Sequence, residues 1–277
     1  MTTSRTTTEP VAIDVDTGSV VLHGDRWTGD GRGHVVLLHG GGQTRHAWRW
    51  SAERLAGGGW TVTTLDLRGH GDSDWSSDGA YRLADHARDL EHLIEDLGER
   101  PVVVGASLGG LTALTLQVRR PLARAIVLVD IVPRPAQAGT SRISAFMSGH
   151  LDGFHTLEDV AHAIAAYKAQ PVRMSPDSLH RVVRLRDDGR WHWHWDPRIM
   201  RLGHTEDLLG PSARITVPVL VVRGAQSDVV SAEHVDEFLR HVASARSTDV
   251  SGVGHMVAGD NNHAFFAAME GFLESLS

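Results

Sequence analysis

Four short apolar runs constrain this chain most: HVVLLHG (34–40), PVVVGAS (101–107), ARAIVLVD (123–130) and VPVLVVRG (217–224). They are rich in Val, Leu and Ile and do not alternate with polar residues, so each must be covered on both faces. Central strands of a parallel sheet, packed between layers of helices, meet that requirement. A weaker run, GWTVTTLDLRG (59–69), reads as another strand. AIDVDTGSVVLHGDRW (12–27) reads as a hairpin turning at Thr17-Gly18.

Helical patterns fall between these runs. LADHARDLEHLIEDLG (83–98) sets Leu83, Ala87, Leu90, Leu93, Ile94 and Leu97 on one stripe, with Gly98 placed to end it. SAEHVDEFLRHV (231–242) opens on Ser231, a good N-cap, and NHAFFAAMEGFLESL (262–276) reads as a closing helix. Strand–helix alternation predicts an α/β fold with crossover connections. Residues 133–212 break the rhythm: they hold no apolar strand run, but a helical stretch, TLEDVAHAIAAYKAQ (156–170), among turn-rich segments. They are expected to form a mainly helical insertion, acting as a lid over an active site.

Composition narrows the function. Lys plus Arg total 27 against 34 Asp plus Glu, a net charge of −7, and no basic stripe is present. Nucleic acid is therefore not an expected partner. With no cysteine, disulfides, thiolate metal sites and cysteine nucleophiles are excluded. No apolar run approaches the roughly 20 residues that span a bilayer, so no membrane partner is expected. The first ten residues, MTTSRTTTEP, are polar and read as a frayed tail without a secretion signal, so the expected location is cytoplasmic. The oligomeric state is open, and a homo-oligomer is compatible with the sequence.

The run VVVGASLGGLTAL (102–114) places Ser107 between a buried strand and a helix. A serine on so tight a turn takes strained backbone angles, and the residues two before and two after it are pressed together. Gly105 and Gly109 fit that crowding, and the amides that follow lie at a helix N-terminus, which favours negative charge. This is a G-x-S-x-G nucleophile elbow in its expected strand–turn–helix setting.

From about residue 12 to 276 the chain resembles the α/β-hydrolases. The resemblance rests on LLHGGGQTRHAW (37–48), LDLRGHGDSD (65–74), GASLGG (105–110), VVRGAQSDVV (221–230) and VGHMVAGDN (253–261), in family order. It implies a mostly parallel twisted sheet flanked by helices, with a core over 1–132 and 213–277 and a cap over 133–212. It also implies a catalytic triad in the order serine, acid, histidine. Ser107 is the expected nucleophile and His255 the base. Asp228, in the family's G-x-x-S-D loop, is the expected acid, with Asp130 at the end of the preceding strand as the alternative. The oxyanion hole is expected at the N–H groups of Gly41 and Leu108. His39 and His70 precede the serine and read as structural, as does DLRGHGDSD. The run HGGGQ is also similar to the G-G-G-x signature of esterases that accept bulky alcohols or acids.

Substrate-binding candidates are Trp48, Phe146, Met147, Trp191, Trp193 and Trp195, with Phe154 as a further one. Alternation in WHWHWD (191–196) would put three tryptophans on one side of an extended segment. They would form either an apolar wall for substrate or the core of the lid. His192 and His194 on the other side lack the carboxylate company of a metal site, so no metal is expected, and no cofactor either. The expected function is a serine hydrolase cleaving carboxylic esters or lactones of small to medium apolar character. Cofactor-free perhydrolases and carbon–carbon bond hydrolases share the triad, and non-catalytic small-molecule receptors share the fold. Relatives that open epoxides or remove halides use an aspartate nucleophile, and Ser107 at that position argues against both.

Overall fold

The computed structural model describes residues 9–168, 174–201, 207–255 and 262–276. The N-terminal MTTSRTTT and the MVAGDN of the last motif lie outside the described residues. The strands are β1 (Val11–Asp16), β2 (Val21–Trp27), β3 (His34–Leu38), β4 (Thr61–Leu65), β5 (Val102–Ala106), β6 (Ala125–Val129), β7 (Val183–Leu185), β8 (Trp191–Trp193), β9 (Val219–Gly224) and β10 (Ala245–Val250). Eight of them form one sheet in the order β1-β2-β4-β3-β5-β6-β9-β10. From β4 to β10 every pairing is parallel, and the β1–β2 hairpin joins antiparallel to β4. Gly18 takes φ +75° at the hairpin turn, as the sequence led us to expect.

The apolar runs are the central strands, and their period of two is hidden because both faces are covered. Val36, Leu38, Val103, Ile126 and Leu128 face one helical layer, and Val35, Leu37, Val104, Val127 and Val129 face the other. The first layer is α2 (Leu83–Leu97), α3 (Leu108–Arg119) and α8 (Ala232–His241). The second is α1 (Arg49–Gly57) and α9 (Asn262–Glu274). Gly98 ends α2 in the left-handed region at φ +65°. Ser231 caps α8 by accepting from the His234 amide, while the His234 ring accepts the Ser231 N–H at 3.2 Å. A histidine thus fills the capping-box position usually held by Glu or Gln.

Between β6 and β9 the chain builds α4 (Gln137–Met147), α5 (Leu157–Lys168), α6 (Pro176–His180), the β7–β8 hairpin and α7 (Leu209–Ser212). Their apolar side chains make a third cluster, with Phe154, Val160, Ile164, Leu179, Trp193 and Trp195 at its centre. The insertion is therefore helical with one short hairpin.

A buried ion pair ties the strand-end loops to α2. Arg68 donates from two nitrogens to the two oxygens of Asp89, each at 2.6 Å, and also bonds the carbonyl of Ala80. Both side chains are almost fully buried. Removing one partner strands the other charge without water. Asp89→Ala is expected to lower unfolding free energy by about 3–5 kcal/mol, read by urea denaturation. A loss below about 1 kcal/mol, the range of a solvent-exposed pair, would contradict this.

Candidate active site

Ser107 sits where β5 ends and α3 begins. Its backbone takes φ +44° and ψ −110°, a region that costs a non-glycine residue about 1–3 kcal/mol. The turn is held by Ser107 N–H donating to the Val129 carbonyl and by Leu111 N–H donating to the Ser107 carbonyl. The two glycines are needed for the reason the sequence suggests. A Cβ on Gly105 would lie 2.3 Å from the Gly109 carbonyl carbon, and one on Gly109 would lie 2.6 Å from the Leu38 oxygen.

The loop after β3 lies against this elbow: a Cβ on Gly40 would come within 3.4 Å of the Ser107 Cβ. Polar side chains fix the loop from beneath. Gln43 Oε1 accepts the Gly40 N–H at 3.0 Å, and His70 Nε2 accepts the Gly42 N–H at 3.1 Å. His39 bonds the Gly40 carbonyl through Nδ1 and accepts the Leu67 N–H at Nε2. Between these occupied amides, the Gly41 N–H has no acceptor among the described residues. Leu108, as the first residue of α3, likewise has no intrahelical acceptor for its N–H. Both residues line one cavity together with Ser107 and His255.

His255 is oriented by Asp130. The imidazole Nδ1 lies 2.8 Å from Asp130 Oδ2, and the two side chains are 7% and 0% exposed. Nε2 is then the ring nitrogen left for a serine hydroxyl. Asp130 follows β6 directly and takes φ +49°. Its carboxylate also accepts the Gly224 N–H at 2.8 Å and the Ser227 hydroxyl at 2.5 Å. Three donors thus compensate a fully buried charge.

This corrects the expectation for Asp228. The G-x-x-S-D loop does reach the site, but it does so through Gly224 and Ser227. Asp228 turns the other way, 43% exposed, and accepts two bonds from Arg142 on α4 at 2.8 and 3.0 Å. Its backbone faces α4 as well, since a Cβ on Gly139 of that helix would lie 2.4 Å from the Asp228 carbonyl oxygen.

The cavity has a volume of about 1010 Å³. Phe146, Met147, Trp193 and Trp195 line it. The Trp193 and Trp195 rings stack 4.6 Å apart, and their indole N–H groups bond the Gly149 and Met147 carbonyls at the end of α4. They are both wall and insertion core. Three other pocket candidates are corrected. Trp48 is 1% exposed and packs on Phe265 behind the sheet, because its 3₁₀ turn points that ring toward α9. Trp191 stacks on His180 outside the cavity lining, and Phe154 packs edge-on behind Trp193. His192 bonds Asp188, and His194 bonds the Val183 carbonyl. Among the described residues no cluster of three or more His, Cys, Asp or Glu could hold a metal ion. Among them, too, no helix is long and apolar enough to cross a membrane.

Sequence comparison agrees with this architecture. Residues 35–268 match the alpha/beta hydrolase family, and the chain belongs to it. The esterase Rv0045c of Mycobacterium tuberculosis is 31% identical over 261 residues, covering 90% of this chain and 85% of that protein. The sn-1-specific diacylglycerol lipase ABHD11 of Mus musculus is 29% identical, covering 86% and 80%. A crystal structure of the Rv0045c esterase superposes with a TM-score of 0.77 at 28% identity, over 96% of this chain and 93% of that one. An E-2-(acetamidomethylene)succinate hydrolase structure reaches 0.84 at 24% identity, over 96% and 99%, a likeness of fold. With such relatives the chain is a hydrolase.

Three buried histidines, two of them beneath the loop after β3, are expected to make the fold sensitive to acid. Burial lowers His39 to about 4, helped by the nearby Arg45 cation, and lowers His70 to about 3, helped by His39. Burial, then Arg26, lowers His34 to about 4. All three are neutral in the folded protein at pH 7. Below about 6.5 the unfolded chain takes up protons that the folded chain refuses, so stability is full above that value and falls with pH from 6.5 toward 4. Each group contributes a slope of up to about 1.4 kcal/mol per pH unit. The urea midpoint should therefore be clearly lower at pH 5 than at pH 7.5; equal midpoints would contradict burial of these rings as neutral species.

Proposed function

We propose that the protein is a serine esterase that cleaves carboxylic esters through an acyl-enzyme, with residues 133–212 as its cap. Ser107 is the nucleophile, His255 the general base and Asp130 the acid. The observation that carries this reading is the His255–Asp130 bond of 2.8 Å in the wall of the cavity onto which Ser107 opens. The esterase and lipase named among the relatives support ester chemistry over other hydrolyses.

The residues would act as follows. Ser107 Oγ attacks the ester carbonyl carbon while its proton passes to His255 Nε2. Asp130 holds the imidazole in the tautomer that receives this proton and stabilises the imidazolium. The carbonyl electron pair moves onto oxygen, where the N–H groups of Gly41 and Leu108 hold it. Collapse reforms the carbonyl and breaks the bond to the alcohol, which leaves with the proton from His255. Water then adds to the acyl-enzyme, giving a proton to His255. The second collapse releases the acid and returns that proton to Ser107 Oγ.

Two substitutions test the assignment with a short-chain p-nitrophenyl ester. Ser107→Ala should lower kcat by about a thousandfold or more while leaving the far-UV circular dichroism unchanged. Retained turnover would remove the nucleophile and the reading with it. Asp130→Asn should cost about a thousandfold or more, since it favours the wrong tautomer of His255. Asp228→Asn, which only weakens an exposed pair with Arg142, should stay within about tenfold. The reverse order would return the acid to Asp228.

A further inference from the structure

The charges around the cavity are one-sided. Among the described residues that line it there is no Asp or Glu, although the whole chain carries a net charge of −7. Lys168, at the end of α5, and Arg181, just after α6, are the lysine and arginine of that lining. Other arginines of the insertion are engaged: Arg142 with Asp228, Arg184 with Asp72 and Arg198 with Asp196. The Arg181 guanidinium has no hydrogen bond or ion pair among the described residues.

The backbone beneath that guanidinium is fixed. The Arg181 carbonyl accepts from Thr44 Oγ1 at 3.4 Å, which sets it against the oxyanion loop three residues beyond Gly41. Its N–H donates to the Leu179 carbonyl. His46, in the 3₁₀ turn that follows that loop and also in the lining, is held below the usual imidazole range by burial first, then by Arg45, with Asp66 and Asp25 opposing and Arg181 lowering it further. Arg181 is exposed, whereas Trp193 and Trp195 are buried at 4% and 3%. The cavity therefore runs from a cationic rim to an aromatic interior, with Ser107 and His255 in its wall. A cationic rim with no acidic neighbour in the lining concentrates anions at the entrance and repels cations.

We propose that the preferred substrate is an ester that carries a carboxylate remote from the scissile bond, bound by Arg181 at the cavity rim while its apolar part lies against Trp193 and Trp195. This specificity rests on the ester-hydrolase reading above. A guanidinium presents paired N–H donors that match a carboxylate. A neutral ester of the same length would meet the same apolar wall and leave Arg181 to water.

The test compares mono-p-nitrophenyl glutarate with p-nitrophenyl pentanoate, which differ by a carboxylate in place of a terminal methyl. Rates are corrected for spontaneous hydrolysis. In the parent enzyme kcat/KM should favour the glutarate, and Arg181→Gln should reduce that preference about five- to tenfold, mainly through KM. Arg181→Lys should restore part of it, and added salt should shrink the parent's preference. An unchanged ratio in Arg181→Gln, or a ratio insensitive to salt, overturns the carboxylate site. If both esters are still cleaved and Ser107→Ala abolishes both, the esterase reading survives that outcome. If the parent cleaves neither ester, or cleaves them without Ser107, both proposals fall.

Discussion

The lack of room between the end of β5 and the start of α3 governs the rest of the site. Gly105, Gly109 and Leu38 touch at distances that leave no space for a single added methyl. This closeness forces Ser107 into its strained turn and brings the loop after β3 against it. A looser junction would relax the serine into an ordinary helix cap, and its hydroxyl would then compete for backbone amides. The parallel sheet makes the crowding possible. Strands β3, β5, β6 and β9 run the same way, so the loops carrying Gly41, Ser107, Asp130 and Ser227 all leave from one edge.

Around that junction the site is organised by buried polar groups, each with partners. Asp130 gathers an imidazole, an amide and a hydroxyl, and Ser227 in turn accepts the amides of Val229 and Val230. On the other side of the elbow, His39 and His70 work as neutral rings that accept one amide and bond one carbonyl each. The two networks do the same physical job. Each replaces water with fixed donors and acceptors, so the geometry around Ser107 need not reorganise.

Much of this was legible from residues alone. The four apolar runs became central strands because no other element can bury five such residues on both faces in so short a stretch. The two glycines two residues either side of Ser107 reported a contact that only backbone could make. Motif spacing offers Asp228 beside His255 and cannot tell that this loop side chain turns to Arg142 instead. A better signal lay in the neighbours. Asp130 sits between AIVLV and IV, where a carboxylate must be buried and must find donors, whereas Asp228 follows Ala225-Gln226-Ser227 in a polar loop. Trp48 was misplaced for a similar reason: a tryptophan next to an oxyanion loop suits a pocket wall, and only the 3₁₀ turn at Arg45–Trp48 reveals that it points to α9. In the insertion, Trp193 lines the cavity, Phe154 packs behind it in the core and Trp191 lies part-buried against His180, an order that the alternation of WHWHWD does not reveal.

The pairing of Arg142 with Asp228 has a mechanical side. Helix α4 also meets the 228–229 backbone without any gap, since a Cβ on Gly139 would lie 2.4 Å from the Asp228 oxygen and Ala136 N–H bonds the Val229 carbonyl at 2.7 Å. The helix is thus welded to the same short loop whose Ser227 hydroxyl steadies Asp130. Hinging α4 outward would tug on that loop and slacken the support of His255. Because Arg142 also bonds the Tyr167 carbonyl and Phe146 stacks on the Tyr167 ring, α5 leans on the same anchor, and α4 is the fixed jamb of the insertion.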